Sequence, residues 1–397
     1  MRSSAIRELL KLTEELEIIS FAGGLPGPEV FPAKDFRSAC MHVLEEHGPE
    51  ALQYGTTEGF TPLRQMIARH AKRYGITAEP ENILITCGSQ QALDLIGKVF
   101  IDPGDEIVVE RPTYLGALQA WNAYEANYHA VPMDADGIKM DELEQALAAG
   151  GKFVYVMPNF QNPTGVTLSL ERRKKLVDLT SRYRVPLVED DPYGQLRYEG
   201  KHLPPLFALN GLDVIYLSTF SKILSPGLRL GWIVAPSEII RRLVQAKQGT
   251  DLHTSTLIQL VVYEVAHGGF LDRQVRSIRV VYRERRDAMV SAMKKYFPSG
   301  VTWTEPHGGL FLWVTLPESF DSAEVLREAL KEKVAFVPGT SFYPDGSGAN
   351  TMRLNFSYSK ATIIEEGIRR LGKVLRAMMV QTKPVALPLG TQSKRSR

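Results

Sequence analysis

A short polar stretch between two apolar runs places a lysine beside several anion-binding side chains. Ser221 and Thr219 lie one and three positions before Lys222, and Arg229 follows seven positions after it. A lysine whose pKa is lowered by burial or by a neighbouring cation is a nucleophile that forms Schiff bases with carbonyl compounds. The two hydroxyls and the arginine are suited to hold a phosphate beside that amine, the arginine through two hydrogen bonds.

Two further segments carry polar residues where an apolar, strand-like run ends. Ser89 and Gln90 follow Gly88 and begin a predicted helix, whose free backbone N–H groups and positive end suit a phosphate. Tyr114 follows the next strand and can lie flat against an aromatic ring. An open parallel sheet binds its ligands at the carboxyl ends of its strands, so these positions are candidates for one site.

An amide, carboxylates and a phenol come from two more strand ends. Asn162 lies in a turn-rich loop at 158–165, and the carboxylates at 189–191 end a strand just before Tyr193. Together with a lysine, these groups supply what pyridoxal phosphate (PLP) requires. A carboxylate keeps the pyridine nitrogen protonated, which makes the ring an electron sink for a carbanion. Asn162 and Tyr193 can hydrogen-bond the phenolic oxygen of the ring, and Lys222 can form the Schiff base.

The order of the predicted elements indicates how these segments are positioned. From residue 83 to 234, short apolar strands alternate with helices, and several strands are continuous apolar runs of the kind buried on both faces. This alternation predicts an α/β fold with a mostly parallel central sheet and helices on both faces. No Gly-x-Gly-x-x-Gly follows any of these strands, so a dinucleotide-binding fold has no support.

The second half of the chain changes character, which predicts a division into domains. Helices dominate from about 237 to 296, and the remaining residues predict a smaller α+β domain. We expect an N-terminal helix and arm at 1–30 that joins the small domain at the substrate site. The large PLP-binding domain is expected at 31–285 and the small domain at 286–397, with a disordered tail at 385–397.

Composition argues against several classes of protein. Of the 397 residues, 44% are hydrophobic and 23% are charged, as in an ordinary globular protein. The net charge of +2 gives no case for a nucleic-acid or membrane partner, and no run approaches about 20 apolar residues. Two cysteines, Cys40 and Cys87, cannot build a disulfide framework or a four-cysteine metal site. We expect both to be small core residues, and we expect no metal and a cytoplasmic location.

Over nearly its whole length, the chain resembles the PLP-dependent class I/II aminotransferases of the aspartate aminotransferase fold, fold type I. It looks most like the branch that contains α-aminoadipate and kynurenine aminotransferases. The matching segments are 4–10, 20–26, 88–92, 162–165, 189–193, 218–231 and 352–354. The resemblance implies that PLP carries the amino group of 2-aminoadipate, glutamate, or a branched-chain or aromatic amino acid to a 2-oxo acid such as 2-oxoglutarate.

The resemblance also implies a role for each matched residue that contacts the cofactor. Lys222 binds PLP and then moves the proton between the substrate's α-carbon and the cofactor. Asp190, rather than Asp191, pairs with the pyridine nitrogen. The other cofactor contacts that it implies are Ser89, Gln90, Tyr114, Asn162, Tyr193, Thr219, Ser221 and Arg229.

Further residues are implied in substrate binding and in assembly. Tyr54 is expected to reach the phosphate of the neighbouring subunit, which makes a homodimer with shared active sites the minimal active unit. Arg353 binds the substrate α-carboxylate through two hydrogen bonds, Gly24 lets backbone approach the same group, and Asn162 also belongs to the substrate site. Two roles stay open for Arg7, which either meets the side-chain carboxylate of an acidic substrate or is a solvated helix arginine.

Two other functions also stay open. A β-lyase or decarboxylase can use the same fold, because the cofactor stabilises several carbanions. Arg353 argues mildly against decarboxylation, since it would hold the carboxylate out of the plane from which it leaves. A ligand-sensing regulator would need a DNA-binding segment ahead of the first matched motif, which begins close to Met1, and the net charge of +2 argues against it.

Overall fold

The computed structural model describes residues 18–381. The first predicted helix, Arg7 and the predicted disordered tail at 385–397 lie outside the described residues. The strands are β1 Ile19–Ser20, β2 Ile83–Thr86, β3 Glu106–Arg111, β4 Asn127–Asp134, β5 Gly137–Ile138, β6 Val154–Val156, β7 Leu187–Asp190, β8 Val214–Thr219, β9 Gly231–Val234, β10 Thr302–Trp303, β11 Phe311–Thr315, β12 Val334–Ala335, β13 Val337–Pro338 and β14 Thr351–Asn355. The α-helices are α1 Ala33–Ala51, α2 Thr61–Lys72, α3 Ser89–Phe100, α4 Leu115–Trp121, α5 Met140–Ala149, α6 Leu170–Tyr183, α7 Leu206–Leu209, α8 Ser237–Gln248, α9 Thr256–Ala266, α10 Phe270–Tyr296, α11 Ser322–Lys331 and α12 Ala361–Gln381.

A central sheet of eight strands has the order β2-β9-β8-β7-β6-β3-β4-β5. Strands β8, β7, β6, β3 and β4 run parallel to one another, whereas β9 is antiparallel to both β2 and β8, and β5 is antiparallel to β4. Strands β2, β6, β7, β8 and β9 are buried at every residue, as the continuous apolar runs predicted for strands covered on both faces. The mostly parallel α/β architecture predicted from the sequence is confirmed.

The smaller α+β part is built on a four-stranded antiparallel sheet of order β10-β11-β14-β13. The N-terminal arm joins it, since β1 pairs in parallel with β12 and the Asn355 N–H donates to the Phe21 carbonyl at 2.9 Å. The boundary predicted at 285/286 falls inside the single helix α10. The three-part division of the chain stays a prediction.

The apolar run at 334–338 predicts one continuous strand, and this prediction is wrong, because the run forms two short strands in different sheets. Val334 pairs with Ile19 of the arm, while Val337 pairs with Arg353 of β14, and Phe336 lies between them. All five positions are buried, so an apolar run alone did not indicate where one pairing ends and the next begins.

The prediction that both cysteines are small core residues is also wrong. Cys40 is exposed on α1, and Cys87 is only half-buried just after β2. The Cys87 thiol lies 3.3 Å from Oδ2 of Asp251, a contact between residues far apart in the sequence that the local pattern did not indicate. Among residues 18–381, no helix combines the length and apolar character needed to cross a membrane. The same residues contain no group of three or more side chains arranged to hold a metal ion.

Candidate active site

One edge of the central sheet collects the segments that the sequence predicted to be functional. Strands β2, β3, β6, β7 and β8 all end at this edge, and the antiparallel β9 begins there. The segments after these strand ends enclose a cavity of about 280 Å³ together with residues of the arm and the small sheet. The cavity is lined by Gly24, Leu25, Ser89, Gln90, Tyr114, Met157, Asn162, Asp190, Pro192, Tyr193, Thr219, Ser221, Lys222, Pro226, Arg229, Phe311 and Arg353.

Every predicted site residue within the described part of the chain lines this cavity except Tyr54. Tyr54 lies after α1 with 77% of its surface exposed, and its ring meets the edge of His253 at 5.8 Å. It lines a separate groove with Gly55 and Thr256. The predicted reach of Tyr54 to a neighbouring subunit stays a prediction.

The start of α3 and the Arg229 side chain form an anion-binding corner of the cavity. Gly88, with φ of +75°, precedes the helix, and a Cβ there would lie 2.7 Å from Nη2 of Arg229. Glycine is therefore needed for the guanidinium to approach the helix start. Nearby, the Thr219 hydroxyl accepts the Ser221 N–H at 3.1 Å and donates to the Leu230 carbonyl at 2.9 Å. Free N–H groups, hydroxyls and a guanidinium at one corner suit a phosphate.

The half-buried Lys222 lines the cavity with its amine. Its Nζ donates to the Gly24 carbonyl at 2.9 Å, so the arm that follows β1 holds the amine in place. Burial, with the positive charges of Arg353 and Arg229, lowers the pKa of Lys222 to about 8. A useful fraction of this amine is uncharged near neutral pH, which is the nucleophilic and basic form.

Asp190 lines the cavity from the end of β7. Its Oδ2 accepts a hydrogen bond from the Tyr155 hydroxyl at 2.8 Å, and its Oδ1 is buried with no hydrogen-bond partner. Burial, with the nearby charge of Asp191, raises the pKa of Asp190 to about 7. An unpaired buried carboxylate oxygen is costly, so this side of the cavity suits a ligand that brings a positive N–H group.

Asp191 differs from Asp190 in having its hydrogen-bonding capacity used within the protein. Its Oδ1 accepts from Nδ2 of Asn159 at 3.0 Å and from the Gly194 N–H at 2.7 Å. Its side chain is not among those that line the cavity. Asp190 therefore offers the cavity a free acceptor oxygen, whereas Asp191 does not.

Arg353 of β14 brings a second guanidinium into the cavity from the small sheet. It is only 2% exposed, and its Nη1 and Nη2 donate to Oδ1 of Asn162 at 2.8 Å and to the Ala22 carbonyl at 2.6 Å. The Nε of Arg353 is buried without a hydrogen-bond partner, and within residues 18–381 Arg353 forms no ion pair with a carboxylate. Burial lowers the pKa of Arg353 to about 10. A buried cation of this kind suits a carboxylate ligand.

Three aromatic side chains, those of Tyr114, Tyr193 and Phe311, also line the cavity. The Arg353 guanidinium lies over the Phe311 ring at 4.2 Å, and the Tyr193 ring meets the edge of Phe311 at 6.0 Å. Burial raises the pKa of Tyr114 to about 12 and that of Tyr193 well above its ordinary value. Both phenols are therefore neutral hydrogen-bond donors at any ordinary pH.

Sequence reasoning missed two buried residues beneath the cavity. Tyr155 of β6 reaches Asp190, and Glu110 of β3 accepts hydrogen bonds at 3.1 Å from the Met157 N–H and from Nε2 of Gln161. Both lie inside predicted strands, and a polar residue in an apolar run was the only signal. Their partners depend on strand order, which such a signal does not provide.

A family model described as aminotransferase class I and II matches residues 26–371. The chain belongs to this family. A curated relative, aromatic-amino-acid aminotransferase 1 of Thermococcus litoralis, is 49% identical, with 96% of this chain and 93% of that protein covered.

Two solved structures of aminotransferases are also similar. The kynurenine aminotransferase of Pyrococcus horikoshii, in complex with PMP and kynurenine, is 50% identical with a TM-score of 0.92, covering 96% of each chain. The α-aminoadipate aminotransferase of Thermus thermophilus, complexed with N-(5'-phosphopyridoxyl)-L-leucine, is 43% identical with a TM-score of 0.91, also covering 96% of each chain. The aminotransferase activity predicted from the sequence is confirmed at the level of the family.

The family implies PLP, and the residues of this aminotransferase fit it. The anion-binding corner at the start of α3 suits the phosphate, and the unpaired Oδ1 of Asp190 suits a pyridinium N–H. Lys222 offers an amine whose pKa the nearby Arg353 helps to lower. When bound, PLP supplies an electron sink that stabilises negative charge at the α-carbon of an amino acid.

Proposed function

We propose that this aminotransferase binds PLP in the cavity described above and transfers amino groups from aromatic, branched-chain and acidic L-amino acids to a 2-oxo acid such as 2-oxoglutarate. The observation that carries the proposal is the arrangement around Arg353. Its guanidinium is buried without a carboxylate partner in residues 18–381, and it lies close enough to Lys222 to lower the pKa of that amine. A carboxylate and an amine of one small substrate would be bound in this space.

Each predicted cofactor contact has a specific task in this proposal. Asp190 would pair with the pyridine nitrogen, Asn162 and Tyr193 with the phenolic oxygen, and Tyr114 would stack on the ring. The residues that would hold the phosphate are Ser89, Gln90, Thr219, Ser221 and Arg229.

The protein's own groups would divide the proton-transfer step between them. Arg353 would fix the substrate α-carboxylate through its forked donors and so hold the α-carbon in place. Lys222, once free, would accept the α-proton at Nζ, because its lowered pKa leaves part of the amine uncharged near neutral pH. Gly24 would let the backbone of the arm approach the substrate carboxylate.

The proposed donor classes are supported by the apolar lining and by the relatives. Leu25 and Phe311 line the cavity and can contact leucine-like or aromatic side chains. The relatives include an aromatic-amino-acid enzyme, a kynurenine enzyme, and an α-aminoadipate enzyme bound to a leucine adduct. The alternatives for Arg7, which lies outside the described residues, stay predictions. Arg7→Ala should selectively weaken acidic donors if it meets their side chains.

The donor class is tested by single-turnover mixing of the PLP-loaded enzyme with separate amino acids. We expect 2-aminoadipate, glutamate, leucine, phenylalanine and kynurenine to bleach the visible band, each yielding its 2-oxo acid with carbon retained. Bleaching by none of them would contradict the proposal. Loss of carbon dioxide, or elimination of a β-substituent from a suitable substrate, would instead support the decarboxylase or β-lyase alternative.

We also propose a homodimer in which Tyr54 completes the partner's site. Tyr54 is 77% exposed and the apolar Leu52 nearby is 74% exposed, so both are available to a second chain. Mixing Lys222→Ala with Tyr54→Ala subunits should give hybrid dimers with one intact site and more activity than either parent. No gain on mixing, with hybrids verified, would contradict a shared site. The predictions of a cytoplasmic location and of no nucleic-acid partner remain untested.

A further inference from the structure

We propose that Tyr155 is a positioning residue that orients Asp190 and keeps it ionised for the positively charged ring nitrogen of the cofactor. The inference rests on the proposed function and extends it to a residue that does not line the cavity. Tyr155 would act only through Asp190.

The hydrogen bond between the two residues makes the oxygens of Asp190 unequal. The Tyr155 hydroxyl donates to Oδ2 at 2.8 Å, while Oδ1 is buried and has no partner. A carboxylate can rotate about its Cβ–Cγ bond, so a bond to one oxygen also fixes the other. Tyr155 thereby leaves Oδ1 as the oxygen available to a ligand in the cavity that Asp190 lines.

The Tyr155 hydroxyl has little freedom of its own. Tyr155 is fully buried in β6, where it pairs with Val109 of β3 on one side and Val188 of β7 on the other. Its ring meets the Trp121 ring at 5.0 Å and 85°, and the Trp121 indole donates to the Leu93 carbonyl of α3 at 2.9 Å. A tyrosine held on all sides in this way presents its hydroxyl in one direction.

The groups around Asp190 give its negative charge little other support. The neighbouring Asp191 carries a negative charge that raises the pKa of Asp190. Asp190 in turn raises the pKa values of Glu110, which is in β3, and of Tyr114, which follows β3. On the β8 side, the residue paired with Asp190 is the uncharged Leu217. The cations that line the same cavity are Lys222, Arg229 and Arg353, and within residues 18–381 none of them forms an ion pair with Asp190. The Tyr155 hydrogen bond lowers the pKa of Asp190, so it favours the ionised form.

A second tyrosine–aspartate pair on the neighbouring strand provides a matched control. The Tyr216 hydroxyl of β8 donates to Oδ2 of Asp191 at 3.3 Å, and Tyr216 is also buried. Asp191 has two further donors, from Asn159 and Gly194, and does not line the cavity. Tyr155→Phe and Tyr216→Phe therefore each remove a tyrosine hydroxyl that donates to an aspartate, but only the first removes a hydrogen bond to Asp190.

The test measures the PLP affinity of each apoenzyme across a range of pH, with no turnover required. We expect Tyr155→Phe to weaken PLP binding roughly 10- to 100-fold at pH 7, since a hydrogen bond to a charged group is lost. The acid limb of the affinity–pH profile should move to higher pH, because Asp190 protonates more readily without the hydroxyl. Tyr216→Phe should stay within about twofold of wild type and keep the same acid limb.

Several results would overturn the inference separately from the proposed function. Equal affinities and acid limbs for the two tyrosine variants would overturn it, whereas failure of the wild-type protein to bind PLP would overturn the proposed function itself. If Tyr155→Phe does not fold, the double variant Tyr155→Phe/Asp190→Asn decides, because it leaves no charged carboxylate without its donor. Its PLP affinity should match that of Asp190→Asn alone, and a further tenfold loss would contradict action through Asp190.

Discussion

Two groups of side chains of opposite charge line the cavity, here called its acidic side and its cationic side, and within residues 18–381 neither group forms an ion pair with a residue of the other sign. The acidic side is Asp190, whose pKa burial raises to about 7. The cationic side consists of Lys222, Arg229 and Arg353, where burial lowers the pKa of Lys222 to about 8. A ligand group of the opposite charge would stabilise the unpaired charge on each side.

Tyr114 lies between the two sides and responds to both. Burial raises its pKa, the Asp190 charge adds to this increase, and Arg353 and Arg229 oppose it. A ligand that spans the cavity across Tyr114 should be positive at one end and negative at the other. PLP, with a pyridinium and a phosphate, and an amino acid, with a carboxylate for Arg353, together fit this separation of charge.

The largest expected effect comes from removing the amine of the cationic side. Lys222→Ala should lower turnover by about 10³-fold or more, because both the nucleophile and the proton carrier are lost. The purified variant should also lack the visible band of lysine-bound PLP while its circular dichroism matches wild type. Substantial remaining activity would contradict the assignment of Lys222.

The second-largest effect is expected from removing the negative charge of the acidic side. Asp190→Asn is expected to lower kcat by roughly 100-fold, because an amide cannot keep the ring nitrogen protonated. Asp191→Asn should cost roughly tenfold or less, since an amide oxygen can still accept from Asn159 and Gly194. The comparison uses steady-state kinetics on both variants, and a larger loss for Asp191→Asn would mean that the two carboxylates have been assigned the wrong way round.

A smaller effect is expected where charge is kept but its geometry is changed. Arg353→Lys should raise KM for every amino donor by about 10- to 100-fold, because an ammonium cannot bind a carboxylate with two parallel hydrogen bonds. PLP affinity should change little, since Arg353 belongs to the substrate end of the cavity. A rise in KM confined to one class of side chain would argue against binding of the common α-carboxylate.

The sequence predicted the residues that follow strands far better than those within them. Ser89, Tyr114, Asn162 and Lys222 each lie in the segment that follows a strand, and parallel strands bring such segments to one edge of the sheet whatever their order. Tyr155 depends on β6 lying beside β7, and that strand order is not local information. Long-range pairing also explains why the run at 334–338 was not recognised as two strands.

The smallest expected effect concerns the stability of the apoenzyme. Glu110 has its pKa raised from 4.5 to about 8 by burial, so the native state keeps a proton that the unfolded chain releases. Wild-type stability should therefore fall through Glu110 as pH rises from about 4.5 to 8. Glu110→Gln should gain a few degrees of Tm relative to wild type between pH 5 and pH 8, measured by scanning calorimetry.

An exposed residue supplies the control for that stability measurement. Glu81→Gln, on the surface just before β2, should show no such pH-dependent gain relative to wild type. A constant difference between Glu110→Gln and wild type at all pH values would mean that the Glu110 carboxyl does not titrate in this window.

The separation of charge in the cavity is tested most directly with cofactor analogues that lack one charge each. PLP, its 1-deaza analogue without the ring nitrogen, and pyridoxal without the phosphate would be titrated into wild-type and Asp190→Asn apoenzyme. We predict that wild type binds both analogues more weakly than PLP, and that Asp190→Asn no longer distinguishes PLP from the 1-deaza compound. Equal binding of PLP and the 1-deaza compound by wild type would contradict the acidic side as a partner of the ring nitrogen.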